Sequence, residues 1–152
     1  MAEYAQAEAL YVEGKFQEAI LALGDDVETN SSSLFRRAKW SMDIGIRTDN
    51  AGEKEKILRG AVADATKASQ VDPASFEAWR VMAVSKGRLQ ACCGVTEKLQ
   101  LGKELRENID RALELNPDDF ASHTHAHTHT HTHTNIHTDG QCWGRGMLEC
   151  QI

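Results

Sequence analysis

The side chains best suited to chemistry fall in two places along this chain. Seven histidines lie between His123 and His137, and over HTHAHTHTHTHT they alternate with threonine or alanine. In an extended strand every second side chain faces the same side, and imidazole suits Zn²⁺, Cu²⁺ or Ni²⁺. Such a tract binds metal in a test tube without that being a function. A CACACA repeat in the DNA reads as alternating histidine and threonine, so a translated dinucleotide repeat is the plainer origin. The second place is the adjacent pair Cys92 and Cys93. No histidine occurs in residues 1–122, so the commonest general acid–base is missing there. The thiols therefore read as small apolar side chains rather than nucleophiles. Gly24, Gly45, Gly87 and Gly94 are isolated helix stops, not a phosphate-cradling loop. No catalytic residue, cofactor site or metal site is expected, and the chain does not read as an enzyme.

Composition narrows the alternatives. Setting aside Arg145, Asp139 and Glu149, residues 1–122 hold 16 Lys and Arg against 21 Asp and Glu, a net charge of −5. A nucleic-acid partner would favour a basic face, so it is not expected. There is no run of about 18 apolar residues, so no membrane span is expected. MAEYAQAEAL lacks the basic-then-apolar order of a signal peptide. Without a C-x-x-C pair there is neither a disulfide framework nor a zinc site, and a reducing compartment is the default.

What remains is an interaction surface, and the elements that would present it are helices. KASQVDPASF (67–76) and RALELNPDDF (111–120) end alike, with Pro73 and Pro117 44 residues apart. A proline that closes one helix and opens the next, at such a period, marks an α-solenoid. The pattern predicts helices over 2–13, 16–23, 34–44, 53–71, 76–86 and 95–115, paired as three hairpins. Ser33 is the expected cap of the third, and 46–52 and 88–94 are expected loops. Paired helices with small residues at their contacts and a terminal proline are tetratricopeptide-like. Ala7 and Ala19 are 12 apart, whereas Ala38 to Ala61 is 23 and Ala83 to Leu105 is 22. The second and third hairpins are therefore each enlarged by about ten residues relative to an ordinary repeat. The fold class is all-α: a right-handed tetratricopeptide-like solenoid over 1–122, with a disordered His/Thr-rich tail over 123–152. The expected core is Leu10, Ile20, Leu34, Ala38, Ile57, Ala61, Ala65, Ala68, Trp79, Ala83, Leu101, Leu105, Ile109 and Ala112. Trp40 and Trp79 read as packing residues.

In a solenoid of helix pairs the first helix of each pair lines the inner surface. Its candidate partner-binding residues are Tyr4, Glu8 and Tyr11, then Phe35, Lys39 and Met42, then Arg80 and Val84. Lys39 and Arg80 suit an acidic peptide or a terminal carboxylate, and the aromatics suit apolar anchors. Arg36, Arg37 and Lys39 form a candidate basic patch.

The succession ALYVEGKFQEA, LFRRAKWSMDIG, EKEKILRGAVADATKASQVDPASFEAW and GVTEKLQLGKELRENIDRALELNPDD resembles the regulator of microtubule dynamics family over residues 2–122. The resemblance implies tetratricopeptide-like repeats with lengthened second helices. It also implies microtubule or tubulin association, in the cytoplasm and at the spindle. The rival expectation is a generic tetratricopeptide adaptor for partner-protein peptides, or a shortened product with little function. On that last view the tail replaces further repeats, Leu101, Leu105 or Ile109 are left partly uncovered, and the chain self-associates.

Overall fold

The computed structural model describes residues 4–24 and 28–119. The histidine tract, the expected disorder of 123–152 and the boundary at 122 lie outside the described residues. Six helices follow in order: α1 (Ala5–Val12), α2 (Phe16–Leu21), α3 (Ser31–Arg47), α4 (Ala51–Val71), α5 (Phe76–Leu89) and α6 (Val95–Leu115). A 3₁₀ turn, Gln90–Cys92, precedes α6. The described residues contain no strand, and consecutive helices pair as three hairpins. Hairpins two and three stack through α3 against α5 and α4 against α5. The architecture is the all-α, tetratricopeptide-like solenoid that the repeated prolines imply.

The helix ends have local causes. Gly14, at φ 79°, turns the chain between α1 and α2 in a region closed to most side chains. The α3 cap is Asn30, not Ser33: Asn30 Oδ1 accepts from the N–H groups of Ser32 at 2.9 Å and Ser33 at 3.4 Å. Asn30 comes before the serines and offers two lone pairs, so the helix starts three residues earlier than expected. Asn50 caps α4 through the Glu53 N–H at 2.9 Å, and Ser75 caps α5 through the Ala78 N–H at 3.3 Å. Between them Asp72 Oδ1 accepts from the Ala74 N–H at 3.0 Å, holding the Pro73 turn.

Gly45 does not stop α3. The helix runs on to Arg47, and a Cβ at Gly45 would lie 3.1 Å from the Leu58 side chain. Here glycine is the close-contact residue between α3 and α4, in the last turn of a helix that propensity alone would have ended earlier. The additional residues of the enlarged repeats are thus spent on helix, leaving a connection of only 48–50 between α3 and α4. Lengthening also moves the register: Ala38 lies with Ala65, Val81 and Met82, while Ala61 lies with Met42, Leu58, Leu89 and Leu101.

The expected core holds at most positions. Leu34, Ala38, Ala61, Ala65, Ala68 and Ala112 are at 0% exposure, and Ala83, Leu101, Leu105 and Ile109 are buried. Leu58 takes the buried place assigned to Ile57, which is only half-buried. One helical step of 100° separates the two, and the 58, 61, 65, 68 stripe is the one that closes on α3. Leu10, Ile20 and Trp79 are half-buried at the core's edge. The Trp79 indole N–H donates to Pro73 O at 3.0 Å, so its ring covers the turn between hairpins. Leu101, Leu105 and Ile109 are not left uncovered. They face inward, toward α5 and the core around Leu58, and the outer face of α6 is largely charged, with Val95 and Leu99 its exposed apolar residues. Self-association through an uncapped α6 therefore has no apolar patch at those three positions.

Candidate functional site

Helices α1, α3 and α5 present the candidate residues, and the structure brings part of the set together. Tyr4, Glu8 and Tyr11 lie along α1 at helical spacing and face α3. The Tyr4 hydroxyl accepts from Ser33 Oγ at 3.2 Å. Arg36 places its guanidinium 4.3 Å from the Tyr4 ring centre and 5.0 Å from that of Phe35. Its Nε donates to Glu8 at 2.8 Å. Tyr4, Phe35, Glu8 and Arg36 thus form one unit, in which the arginine is stacked and charge-balanced.

Arg37 points the other way, into α4. Its Nε and Nη2 form a two-pronged contact with Asp64 at 2.8 and 2.6 Å, and Nη1 reaches Glu28 at 2.8 Å. Lys67 also pairs with Glu28, and the two cations hold that carboxyl below its ordinary range. This network fastens the connection before α3 onto α3 and α4. As a basic patch, Arg36 and Arg37 are both committed to carboxylates, which a sequence run of Arg-Arg does not reveal.

Lys39 differs. Among the described residues it has no carboxylate partner, and its Nζ sits 5.3 Å from the Tyr11 ring centre. Tyr11 stacks on the buried Trp40 at 5.3 Å and 19°, meets Phe16 at 5.5 Å, and donates its hydroxyl to Asp43 at 2.7 Å. Asp43, four residues beyond Lys39 on the same face, was not among the candidates; extending the i, i+4 pattern by one step finds it. Met42 is withdrawn from the face. It is buried with Leu58, Leu89 and Leu101, because the lengthened second half of α3 is covered by α4 and the segments that follow it. Val84 packs at the edge of the same cluster.

Arg80 is engaged differently from Lys39. Its contacts run to Glu77 at 3.1 Å, to Asp119 at 3.8 Å and to the Phe76 ring at 5.5 Å. The two cations that were to share an acidic ligand are therefore unequal: Arg80 is held by two acids, whereas Lys39 has no acidic partner among the described residues.

Cys93 donates to Leu89 O at 3.2 Å, and burial pushes its thiol above the usual range, the reverse of an activated nucleophile. Among the described residues no three His, Cys, Asp or Glu side chains are grouped to hold a metal. No described helix is long and apolar enough to cross a membrane.

Burial first, then the hydrogen bond to Asp43, push the Tyr11 phenol up to about 12 from its ordinary 10.0. The folded chain holds this proton more tightly than the unfolded chain does. The resulting stability is complete below about pH 10 and is lost as pH rises through about 12. Urea midpoints should therefore fall between about pH 9 and about pH 11, and Tyr11→Phe should flatten that slope. An equal slope in the variant would assign the loss to other groups.

Comparison with known proteins agrees with this geometry. The family described as regulator of microtubule dynamics protein 1-3 matches residues 3–126. Regulator of microtubule dynamics protein 1 from Caenorhabditis elegans is 27% identical over 124 residues, which are 80% of this chain and 54% of that protein. The chain thus spans about half the length of the curated relative it matches. Among solved structures, the first TPR of Spaghetti (RPAP3), bound to the HSP90 peptide SRMEEVD, is similar at a TM-score of 0.66 and 17% identity. That similarity covers 88% of this chain and 94% of the other. At that identity it shows the fold alone, whereas the family match takes in every hairpin described above: the chain belongs to the regulator of microtubule dynamics family.

Proposed function

We propose that this chain is a non-enzymatic interaction module whose A-helix face, centred on Lys39, receives an acidic segment of a protein partner. Within its family that partner is the microtubule, whose tubulin tails are acidic, and the working place is the cytoplasm and spindle. One observation carries the reading: Lys39 is a cation on this face with no carboxylate partner among the described residues, beside the flat ring of Tyr11. Tyr4, Tyr11 and Phe35 supply apolar surface around it, and Arg80 supplies a second, already balanced charge. The similar solved structure holds an HSP90 peptide with three acidic residues, SRMEEVD, which favours peptide recognition as the mode. The pairing of Arg36 and Arg37 favours the second reading, a tetratricopeptide adaptor for a partner peptide, since one uncommitted charge in place of three weakens long-range attraction to microtubules.

Co-sedimentation with microtubules over a salt series separates the two. The variant to use is Lys39→Glu alone, because glutamate at Arg36 or Arg37 would face Glu8 or Asp64 and disturb the fold. Pelleting at low salt that fades as salt rises, and weakens about tenfold in Lys39→Glu, is the expected result. Absence of pelleting at low salt would leave the adaptor reading. Pelleting indifferent to Lys39→Glu would remove Lys39 from the site.

A further inference from the structure

We propose a second docking site, next to the Lys39 face and joined to it through the Tyr11–Phe16 ring contact: the cleft between the α1–α2 turn and the end of α3 binds a peptide segment in which an apolar side chain adjoins one carboxylate. The cleft measures about 370 Å³ and is lined by Gly14 to Glu18 on one side and by Ile44, Arg47 and Thr48 on the other. That volume lies within the range of ligand sites, which begins near 300 Å³. Phe16 and Ile44 give it an apolar floor, and Gly14 has open space where a Cβ would point.

Arg47 supplies the charge. Its guanidinium lies 4.6 Å from the Phe16 ring centre, and it forms no ion pair among the described residues. Its one protein hydrogen bond there is a long one, Nη1 to Asp43 O at 3.5 Å, so the rest of its donor fork is unspent. A planar fork with free donors fits a carboxylate with two parallel bonds. The end of a helix normally repels an anion through its bare carbonyls, and here two of them are occupied. Thr48 Oγ1 donates to Ile44 O at 2.8 Å and Thr48 N–H to Gly45 O at 3.2 Å.

The other charges around the cleft limit the ligand. Lys15 is held by Glu13 at 2.8 Å, and Asp43 accepts the Tyr11 hydroxyl. Glu18 is the acidic lining residue, and it disfavours a second carboxylate on the ligand. The occupant is therefore a segment with one apolar anchor and one acid, not a polyacidic tail.

The test is an amide-resolved NMR titration of the full chain with acetyl-Ser-Leu-Glu-Ser-amide. The control is the same peptide with glutamine in place of glutamate. The expected result is movement of the Gly14, Ile44 and Thr48 amides by the acidic peptide, weakened about tenfold in the control and in Arg47→Glu. Arg47→Gln, which removes the charge without introducing a negative one, should weaken binding in the same direction and guards against a folding defect. Lys39→Glu should leave these shifts in place, so loss of the Lys39 face and loss of the cleft are read separately. Still amides at the cleft, equal response to the glutamine peptide, or indifference to both Arg47 variants would each overturn the proposal.

Discussion

Trp40→Ala should lower the stability of this domain by about 3–5 kcal/mol, enough to leave much of the chain unfolded at room temperature. Trp40 is 1% exposed and is the largest fully buried side chain among the described residues. It shares one cluster with Ala7, Ala19, Leu23, Leu34, Ala68 and Ala78, which come from α1 through α5 and the α2 exit. Its ring also supports Tyr11 from behind, and through Tyr11 the neighbourhood of Lys39. Truncation removes the transfer energy of an indole and leaves a void that three helical hairpins cannot all close upon. Urea denaturation followed by circular dichroism measures the loss. Trp40→Phe, which keeps an aromatic body, should retain well over half of the stability. A loss below about 1 kcal/mol for Trp40→Ala would mean that the cluster repacks and that Tyr11 is positioned by other means.

Ala112→Trp should open the third hairpin by overpacking, at a cost of about 1–3 kcal/mol or more. Ala112 is at 0% exposure in the last third of α6, at the final small position of its repeat. In a solenoid each repeat is held by its own packing and by its neighbours. The damage should therefore be local: backbone hydrogen exchange should speed up in α6 and α5 before α3 and α4. Uniform acceleration through all six helices would show that the three hairpins unfold as one unit. Ala112→Gly, which adds no bulk, should cost only about 1 kcal/mol, through helix propensity.

Legibility differed between elements for reasons that are local or distant. Pro73 and Pro117, with the small residues before them, act on their own turns, so hairpin number, pairing and the α6 span of Val95–Leu115 were readable from the sequence. Ser33 as a cap and Gly45 as a stop were equally local inferences and both gave way. Asn30 was the better acceptor for the first turn, and Gly45 was needed where Leu58 comes within 3.1 Å. Asn30 was in view three residues before Ser33, but Leu58 lies 13 positions from Gly45 along the chain, outside any window of a few residues.

The sequence by itself determined a repeat of paired helices, the absence of histidine chemistry from its body, and the helical spacing along α1, α3 and α5, though not that Met42 on that spacing is buried. Periodicity and composition are sufficient for those, since they depend on the backbone's own geometry. Tertiary structure alone decided which charges on that face are available. Arg36, Arg37, Arg80 and Lys39 look alike in sequence, yet Glu8, Asp64 with Glu28, and Glu77 with Asp119 engage the first three. Each of these three arginines has at least one partner from another helix or from a connecting segment, at separations of 9 to 39 residues. An ion pair forms only where packing brings two side chains within a few ångströms, so the free charge of Lys39 is a property of the assembled hairpins.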